Sequence, residues 1–376
     1  PSFAEGQLMK RALSGFALLA VLASCTAQGA ATPAPAAYSH ELSEKLYRQG
    51  KYSDDEALCK QAIADIEKSK GAKAWTLAEP LNDLATVYMR QARYAEAKQV
   101  IDRADSVLDK TKPDQVLIYA RLGINKGWRL YTFGETTAAT KVFEEAQALL
   151  EKNQKGESID LAELINNVGL MYEDSGQKDE DEDKIHDARV CLLKGWEMRR
   201  RLTGGDNSPE SAESINNLGM HLLFNATSEE DADLALPIIK KSLDVAIKVY
   251  GENHPETAVS HATLGLALFM HDKPEDAQKE IMIAIPMTQR FLGDKHPDLA
   301  YELTTLGHIL ESQSHFEDAE KKFQEALAIN EDTFGKTHPN IIPALEALKT
   351  LYDAKGDPAK SEEMERRIEK LQGKDI

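Results

Sequence analysis

From Asp298 to His338, apolar residues recur at helical spacing twice over. Ala300, Leu303, Leu306 and Leu310 form one stripe; Phe316, Ala319, Phe323, Ala326 and Leu327 form a second. A polar break, Glu311 to His315, separates them. Each stripe covers one face of a helix, so the segment predicts two amphipathic helices joined by a short turn. Gly335 can close the second helix in the left-handed conformation. Pro339 opens the next helix, where its missing N–H costs nothing. His338 precedes that proline and is biased toward extended angles, as a linker requires. A single hairpin cannot bury both stripes, but stacked copies can.

Copies are present. Gly251-Glu-Asn-His254-Pro255 returns as Gly293-Asp-Lys-His296-Pro297 and again as Gly335-Lys-Thr-His338-Pro339, in two steps of 42 residues. The small residue inside the first helix recurs as Ala85, Gly127, Gly169, Gly219, Gly265 and Gly307. The second helix carries its own series, Ala97, Ala139, Ala188, Ala235, Ala277 and Ala319. Small residues at fixed offsets let paired helices approach closely. A fixed period of this size predicts a solenoid of stacked units. Eight units fit between about Ala37 and Gln372.

The Gly-x-x-His-Pro linkers, with Leu164-Ile-Asn-Asn167-Val-Gly169 and Ser214-Ile-Asn-Asn217-Leu-Gly219, carry a family likeness. The pattern resembles the tetratricopeptide repeat, and more closely the longer repeat of kinesin light chains. The resemblance implies an all-α fold, an α-α superhelical solenoid of about eight tetratricopeptide-type hairpins. It also implies a non-catalytic protein–protein interaction scaffold, whose first helices line a concave groove for a protein or peptide segment. Carried onto this chain, the groove positions are Asn82, Trp128, Tyr131, Asn166, Asn216, Met220, Phe224, Phe269, Thr304 and His308. Asparagine can pair with a peptide backbone through donor and acceptor together. Aromatic and methionine side chains can seat apolar anchors. Basic residues are sparse at these positions apart from Arg90 and Arg121, so an internal segment is expected rather than a C-terminal carboxylate.

The N-terminal stretch has a different character. Met9-Lys10-Arg11 precedes an apolar run from Ala12 to Ala23, too short to span a bilayer and suited to a signal-peptide core. Pro1 to Leu8 reads as upstream residues. Leu22-Ala23-Ser24-Cys25 resembles the bacterial lipobox, which implies that Cys25 is lipidated and becomes the mature N-terminus. An ordinary secretory signal cut near Ala27-Gln28-Gly29 is the alternative. The expected organisation is upstream residues and signal over 1–24, a lipidated cysteine and flexible Ala/Pro tether over 25–38, and the solenoid over 39–372. The expected location is the bacterial cell envelope, lipid-anchored on the extracytoplasmic side, or secreted and periplasmic if the alternative holds.

The formal net charge is −18, and removal of residues 1–24 takes it to −19. That balance argues against nucleic acid as a partner and leaves proteins, with the membrane reached through the lipid. No HExxH, P-loop, GxSxG or paired CxxC occurs, so neither enzyme chemistry, a metal nor a cofactor is expected. His254, His296 and His338 sit in successive linkers, about 10 Å or more apart by helix packing, and cannot share one metal. Glu173 to Asp187 is rich in carboxylates but lacks a calcium loop's glycine and closing glutamate, so a solvated acidic turn is expected. Cys59 and Cys191 lie three units apart and read as small buried hydrophobes. Two rivals stand beside the scaffold: an envelope assembly factor packing through its solenoid edges, and a cytosolic kinesin-light-chain-like adaptor should the signal be spurious.

Overall fold

The computed structural model describes residues 37–154, 156–226 and 229–373. Cys25 and the expected signal lie outside them. The described residues form sixteen α-helices and no strand, arranged as eight consecutive hairpins. The first four are α1 (His40–Arg48) with α2 (Tyr52–Lys70), α3 (Ala78–Arg90) with α4 (Tyr94–Val107), α5 (Val116–Thr132) with α6 (Thr136–Asn153), and α7 (Ile159–Asp179) with α8 (Glu182–Thr203). The other four are α9 (Pro209–Asn225) with α10 (Glu229–Tyr250), α11 (Pro255–Met270) with α12 (Pro274–Leu292), α13 (Pro297–Ser312) with α14 (Phe316–Phe334), and α15 (Ile342–Lys355) with α16 (Pro358–Leu371). This is the α-α solenoid that the period predicts.

The described helices divide into two compact units. The first holds α1 to α8, α9 as far as Leu218, and residues 244–254 from the end of α10 and the following linker. The second holds Gly219–Leu243 and everything from Pro255 onward.

In the third to seventh hairpins the repeated glycine is a point of helix contact. A Cβ added at Gly127 would stand 2.5 Å from the Phe143 ring, and one at Gly307 would stand 2.4 Å from the Phe323 ring. Both rings are fully buried. Large ring and bare backbone therefore interlock, and the same sites in α9 and α11 pack Gly219 on Ile239 and Gly265 on Ile281. In the second unit Leu299, Ala300 and Leu303 of α13 close a core with Ala326 and Ile329 of α14.

The His-Pro linkers are structural, and the mechanism is capping. Nδ1 of His296 accepts the Asp298 N–H at 3.1 Å, and Nδ1 of His338 accepts the Asn340 N–H at 3.2 Å. Each satisfies one of the orphan donors at a helix start, a task usually given to Ser, Thr, Asp or Asn. His338 also stacks on Phe334, and His254 stacks on Tyr250 with centroids 4.5 Å apart.

Burial holds the His254 imidazole down to about 4, helped by the nearby Arg90 guanidinium and opposed by a hydrogen bond with the Arg48 backbone. The folded state therefore binds its proton only near pH 4, whereas the unfolded chain binds it near 6.5. Between those values the unfolded state carries more protons, so stability falls as pH drops from 6.5 to 4, by roughly 3 kcal/mol at most. His254→Phe keeps the stack and removes the proton site. Its stability, followed by urea melts across that window, should lack this part of the fall; parallel curves would mean that His254 charges without cost in the folded state.

The carboxylate-rich stretch is not the solvated turn expected. Helix α7 runs through it to Asp179, Glu180 takes the left-handed conformation (φ 57°), and Asp181 caps α8. Its first part is anchored: Asp174 is buried and accepts from Tyr131 Oη at 3.3 Å, Thr136 Oγ1 at 3.1 Å and Lys178 Nζ at 2.7 Å. Helical continuation wins because Gly176 lets Ile185 of α8 come within contact of the α7 backbone. Cys59 is fully buried beside Asp55 and Ser43, and Cys191 is half-buried; both are free thiols.

Candidate functional site

In the first unit the helices α3, α5, α7 and the start of α9 carry the amides. Asn82 on α3 is buried and already engaged: its backbone carbonyl and its Oδ1 accept from Asn125 Nδ2 of α5 at 3.2 and 3.0 Å. Asn125 also donates to Thr86 Oγ1 at 2.9 Å. That pair holds neighbouring first helices together, so Asn82 is corrected from groove lining to a bond between repeats. The sequence signal was available, since Asn125 follows by one residue the position equivalent to Asn82 in the next copy.

Asn166 and Asn167 on α7 are 0% and 1% exposed, and no Nδ2 or Oδ1 of either has a hydrogen-bond partner. On α9, Asn217 is buried with its Nδ2 open, and half-buried Asn216 has an open buried Oδ1. Asn166 is sunk because α8 presses close: a Cβ added at Gly195 would stand 3.3 Å from the Asn166 Cβ. It is corrected from a solvent-facing position to a buried one. Two first helices thus hold four asparagines and six open amide atoms in one unit.

Two aromatic positions are placed nearby. Trp128 is buried, edge-on to Phe143 at 5.9 Å and to Tyr131 at 5.8 Å, and belongs to the core rather than to a groove wall. Tyr131 is half-exposed and donates its hydroxyl to Asp174.

Charge lines the same unit. Arg121 of α5 binds Asp160 of α7 at 2.7 Å, with Glu79 of α3 at 3.9 Å. Arg199 of α8 is 1% exposed and donates to the Glu210 carbonyl at 3.0 Å, Ser214 Oγ at 2.8 Å and Glu213 at 3.3 Å. Glu163, half-buried one turn before Asn166, makes no hydrogen bond or close ion pair among the described residues. Burial, with Glu213 and Asp160 adding, pushes its carboxyl up to about 8 against the pull of Arg199 and Arg121. His40 and the Tyr38 hydroxyl both bind Asp83, which lifts the imidazole above its ordinary value.

One contact crosses the unit. The Arg48 guanidinium at the end of α1 sits on the Glu210 carboxylate at the start of α9, 162 residues away. Repeats that are not neighbours in sequence therefore meet within this unit. Neither this contact nor the Glu163–Arg199–Glu213 group was foreseen from the sequence.

In the second unit Met220, Phe224, Thr304 and His308 are buried, at 6%, 8%, 1% and 8% exposure, and only Phe269 is half-exposed among the expected positions there. Thr304 spends its hydroxyl on the Ala300 carbonyl at 2.8 Å, and His308 packs edge-on to Phe323 at 4.8 Å. These residues stabilise the hairpins they belong to. Asn216, Tyr131 and Phe269 are the expected positions that keep a half-exposed side chain. Among the described residues no group of three or more His, Cys, Asp or Glu is arranged to hold a metal, and no helix is long and apolar enough to cross a membrane.

The family model described as tetratricopeptide repeat matches residues 224–280 and 300–372. The RxLR effector protein SFI4 of Phytophthora infestans is 25% identical over 224 residues, 58% of this chain, and the chain spans 61% of that relative's length. Among solved structures, a Rap protein complexed with Competence and Sporulation Factor aligns over 89% of this chain and 96% of its own, with TM-score 0.60 and 11% identity. A kinesin light chain of Podosopora anserina with nearly identical TPR-like repeats covers 59% of this chain and 98% of its own, at TM-score 0.42 and 15% identity. Over residues 224–280 and 300–372 the chain thus matches the tetratricopeptide repeat, and its helical hairpins share the fold of the Rap protein structure.

Proposed function

We propose that this chain is a non-catalytic scaffold that holds an extended segment of a partner protein along the first helices of its first unit. The observation that carries the reading is half-exposed Asn216, whose amide Oδ1 has no partner, with the open Nδ2 of Asn217 beside it on α9. A buried polar group without a partner costs about 1–3 kcal/mol, and native chains rarely keep several together. A peptide backbone offers one donor and one acceptor per residue, the same complement that an asparagine amide presents. Tetratricopeptide repeats serve many unrelated systems, so the fold sets the class of function and the residues must supply the rest. The test is direct: a randomised decapeptide library is panned on the full chain, and recovered peptides are titrated by fluorescence anisotropy. Saturable binding supports the reading; a library that yields no saturable binder overturns it and favours assembly through the solenoid edges.

The same proposal includes an anchor. A lipid on Cys25, followed by the Ala/Pro tether, would hold the solenoid on the extracytoplasmic face of a bacterial envelope and give it reach. Support comes from the sequence Leu22-Ala23-Ser24-Cys25 alone. Metabolic labelling with a fatty-acid analogue should mark the parent and not Cys25→Ser, and the variant should leave the membrane fraction. An unlabelled parent, or a variant that stays membrane-bound, would refute the anchor without touching the scaffold.

A further inference from the structure

Helix α1 is held to the first unit differently from the other first helices. Of its nine residues only Ser43 is buried, with Leu42, Leu46 and Tyr47 half-buried, whereas α3 buries eleven of its thirteen. Its main ties are polar, and they reach four neighbours. At its start, the Tyr38 hydroxyl donates to Asp83 of α3 at 2.8 Å, and Nδ1 of His40 lies 3.0 Å from both Asp83 oxygens. In its middle, Ser43 donates to Asp55 of α2 at 2.6 Å and lies 3.7 Å from the fully buried Cys59 thiol. At its end, Arg48 sits on Glu210 of α9 at 2.5 Å, and its backbone bonds the His254 imidazole in the linker after α10. Three residues, Gln49 to Lys51, join α1 to α2, and Gly50 among them is left-handed (φ 67°). A short helix with little apolar burial, polar ties and a glycine turn behind it can come away without unfolding what it covers.

We propose that α1 is a pH-controlled clasp, closed across the first unit near neutral pH and released from it in mildly alkaline solution. Two groups hold their protons more tightly when it is closed. Burial pushes the Asp55 carboxyl up to about 7, with Asp83 adding and Ser43, Cys59 and His40 opposing. The hydrogen bond to Asp83 lifts the His40 imidazole above its ordinary 6.5, with the Asp83 and Glu44 charges adding and burial and Arg121 opposing. Release puts both groups in water, where the carboxyl returns toward 3.8 and the imidazole toward 6.5. The closed form therefore carries more protons than the released form, and a rise in pH favours release through both groups. The far end does not oppose them. Arg48 is raised and Glu210 lowered, so that pair keeps its charges, and burial holds His254 down to about 4 and neutral. Glu79 of α3 and Tyr250 of α10 also face this region. The clasp is independent of the scaffold reading, and its release uncovers Glu210, two turns before Asn217 along one side of α9.

Cys59 reports the motion, because Ser43 of α1 lies against its thiol, and burial pushes that thiol up and keeps it unreactive. The full chain is labelled with N-ethylmaleimide from about pH 6.5 to about pH 8.5, and each cysteine is quantified by peptide mass. Dividing by the rate in concentrated urea at the same pH removes the thiol's own pH dependence. Protection of Cys59 should fall roughly tenfold across that window, while that of Cys191 on α8 stays level. Asp55→Asn with His40→Gln should flatten the fall. Glu210→Gln should lower protection at every pH and leave its slope unchanged, and a helical melt checks that each variant folds. Level protection of Cys59 in the parent overturns the clasp. A fall shared by Cys191 assigns it to opening of the whole unit, and a fall that survives in the double variant takes it away from these two groups; either result overturns the proposal.

Discussion

Replacing Phe323 with alanine should lower the stability of the second unit by about 3–5 kcal/mol, the range for removing a fully buried aromatic ring. The ring is 0% exposed and is clasped between bare backbone at Gly307 and the imidazole of His308. Its loss leaves a hole that two rigid helices cannot collapse to fill. Gly307→Ala attacks the same contact from the other side. Its new Cβ would stand 2.4 Å from the ring, an overpacking that costs about 1–3 kcal/mol. In the double variant the added methyl enters the space the ring has left, so the two losses should add up to less than their sum by about 1 kcal/mol or more. Because a solenoid unit leans chiefly on its neighbours, the damage should be local. Hydrogen exchange should accelerate across α13 and α14 while α3 to α6 keep their protection, and urea melts supply the magnitudes. Additive losses, or an even loss of protection along the chain, would show that ring and glycine do not form one interlock.

The second large effect concerns the amides, and its two halves have opposite signs. Asn216→Ala with Asn217→Ala should weaken binding of a recovered peptide by roughly five- to 150-fold, taking about 0.5–1.5 kcal/mol for each bond lost. The same substitutions should leave stability within about 1 kcal/mol of the parent or raise it, because an amide without a partner is removed from the interior. Sites that serve binding are where local rules of folding are expected to fail. Anisotropy titrations read the first half and urea melts the second. Unchanged affinity would take the peptide off α9. A fall of several kcal/mol in stability would instead make the asparagines part of the scaffold's own bonding.

Much of the fold was legible because its signal is local and repeated. The linker glycines, the His-Pro pairs and the small residue at the helix contact recur at fixed offsets, and the hairpins follow them. What the offsets could not tell was exposure. Thr304, Asn166, Asn216 and Asn82 occupy equivalent places in their repeats. One bonds its own helix, one is sealed under α8, one is half-exposed, and one ties two repeats together. The difference lies in the neighbour each meets, which a periodic pattern does not encode. The capping role of the linker histidines was missed because histidine is an unusual cap. The charged cluster was missed for a deeper reason. Its members, Arg48 with Glu210 and Arg199 with Glu213, are joined across repeats by the path of the chain and carry no signature in sequence spacing.

The way the chain passes between the two units bears on any attempt to take the molecule apart. It leaves the first unit after Leu218, returns at Asp244, and leaves again after His254. No single cut therefore yields either unit whole. A fragment ending at Leu218 would lack Tyr250 and His254, and with them the ring stack that stands by Arg48 and Arg90. A fragment beginning at Gly219 would carry residues 244–254 without the helices they pack with. Dissection by truncation, the ordinary route to a minimal binding piece in repeat arrays, should thus give fragments with a raw edge. The smallest faithful piece of the first unit runs through His254, with the intervening residues kept.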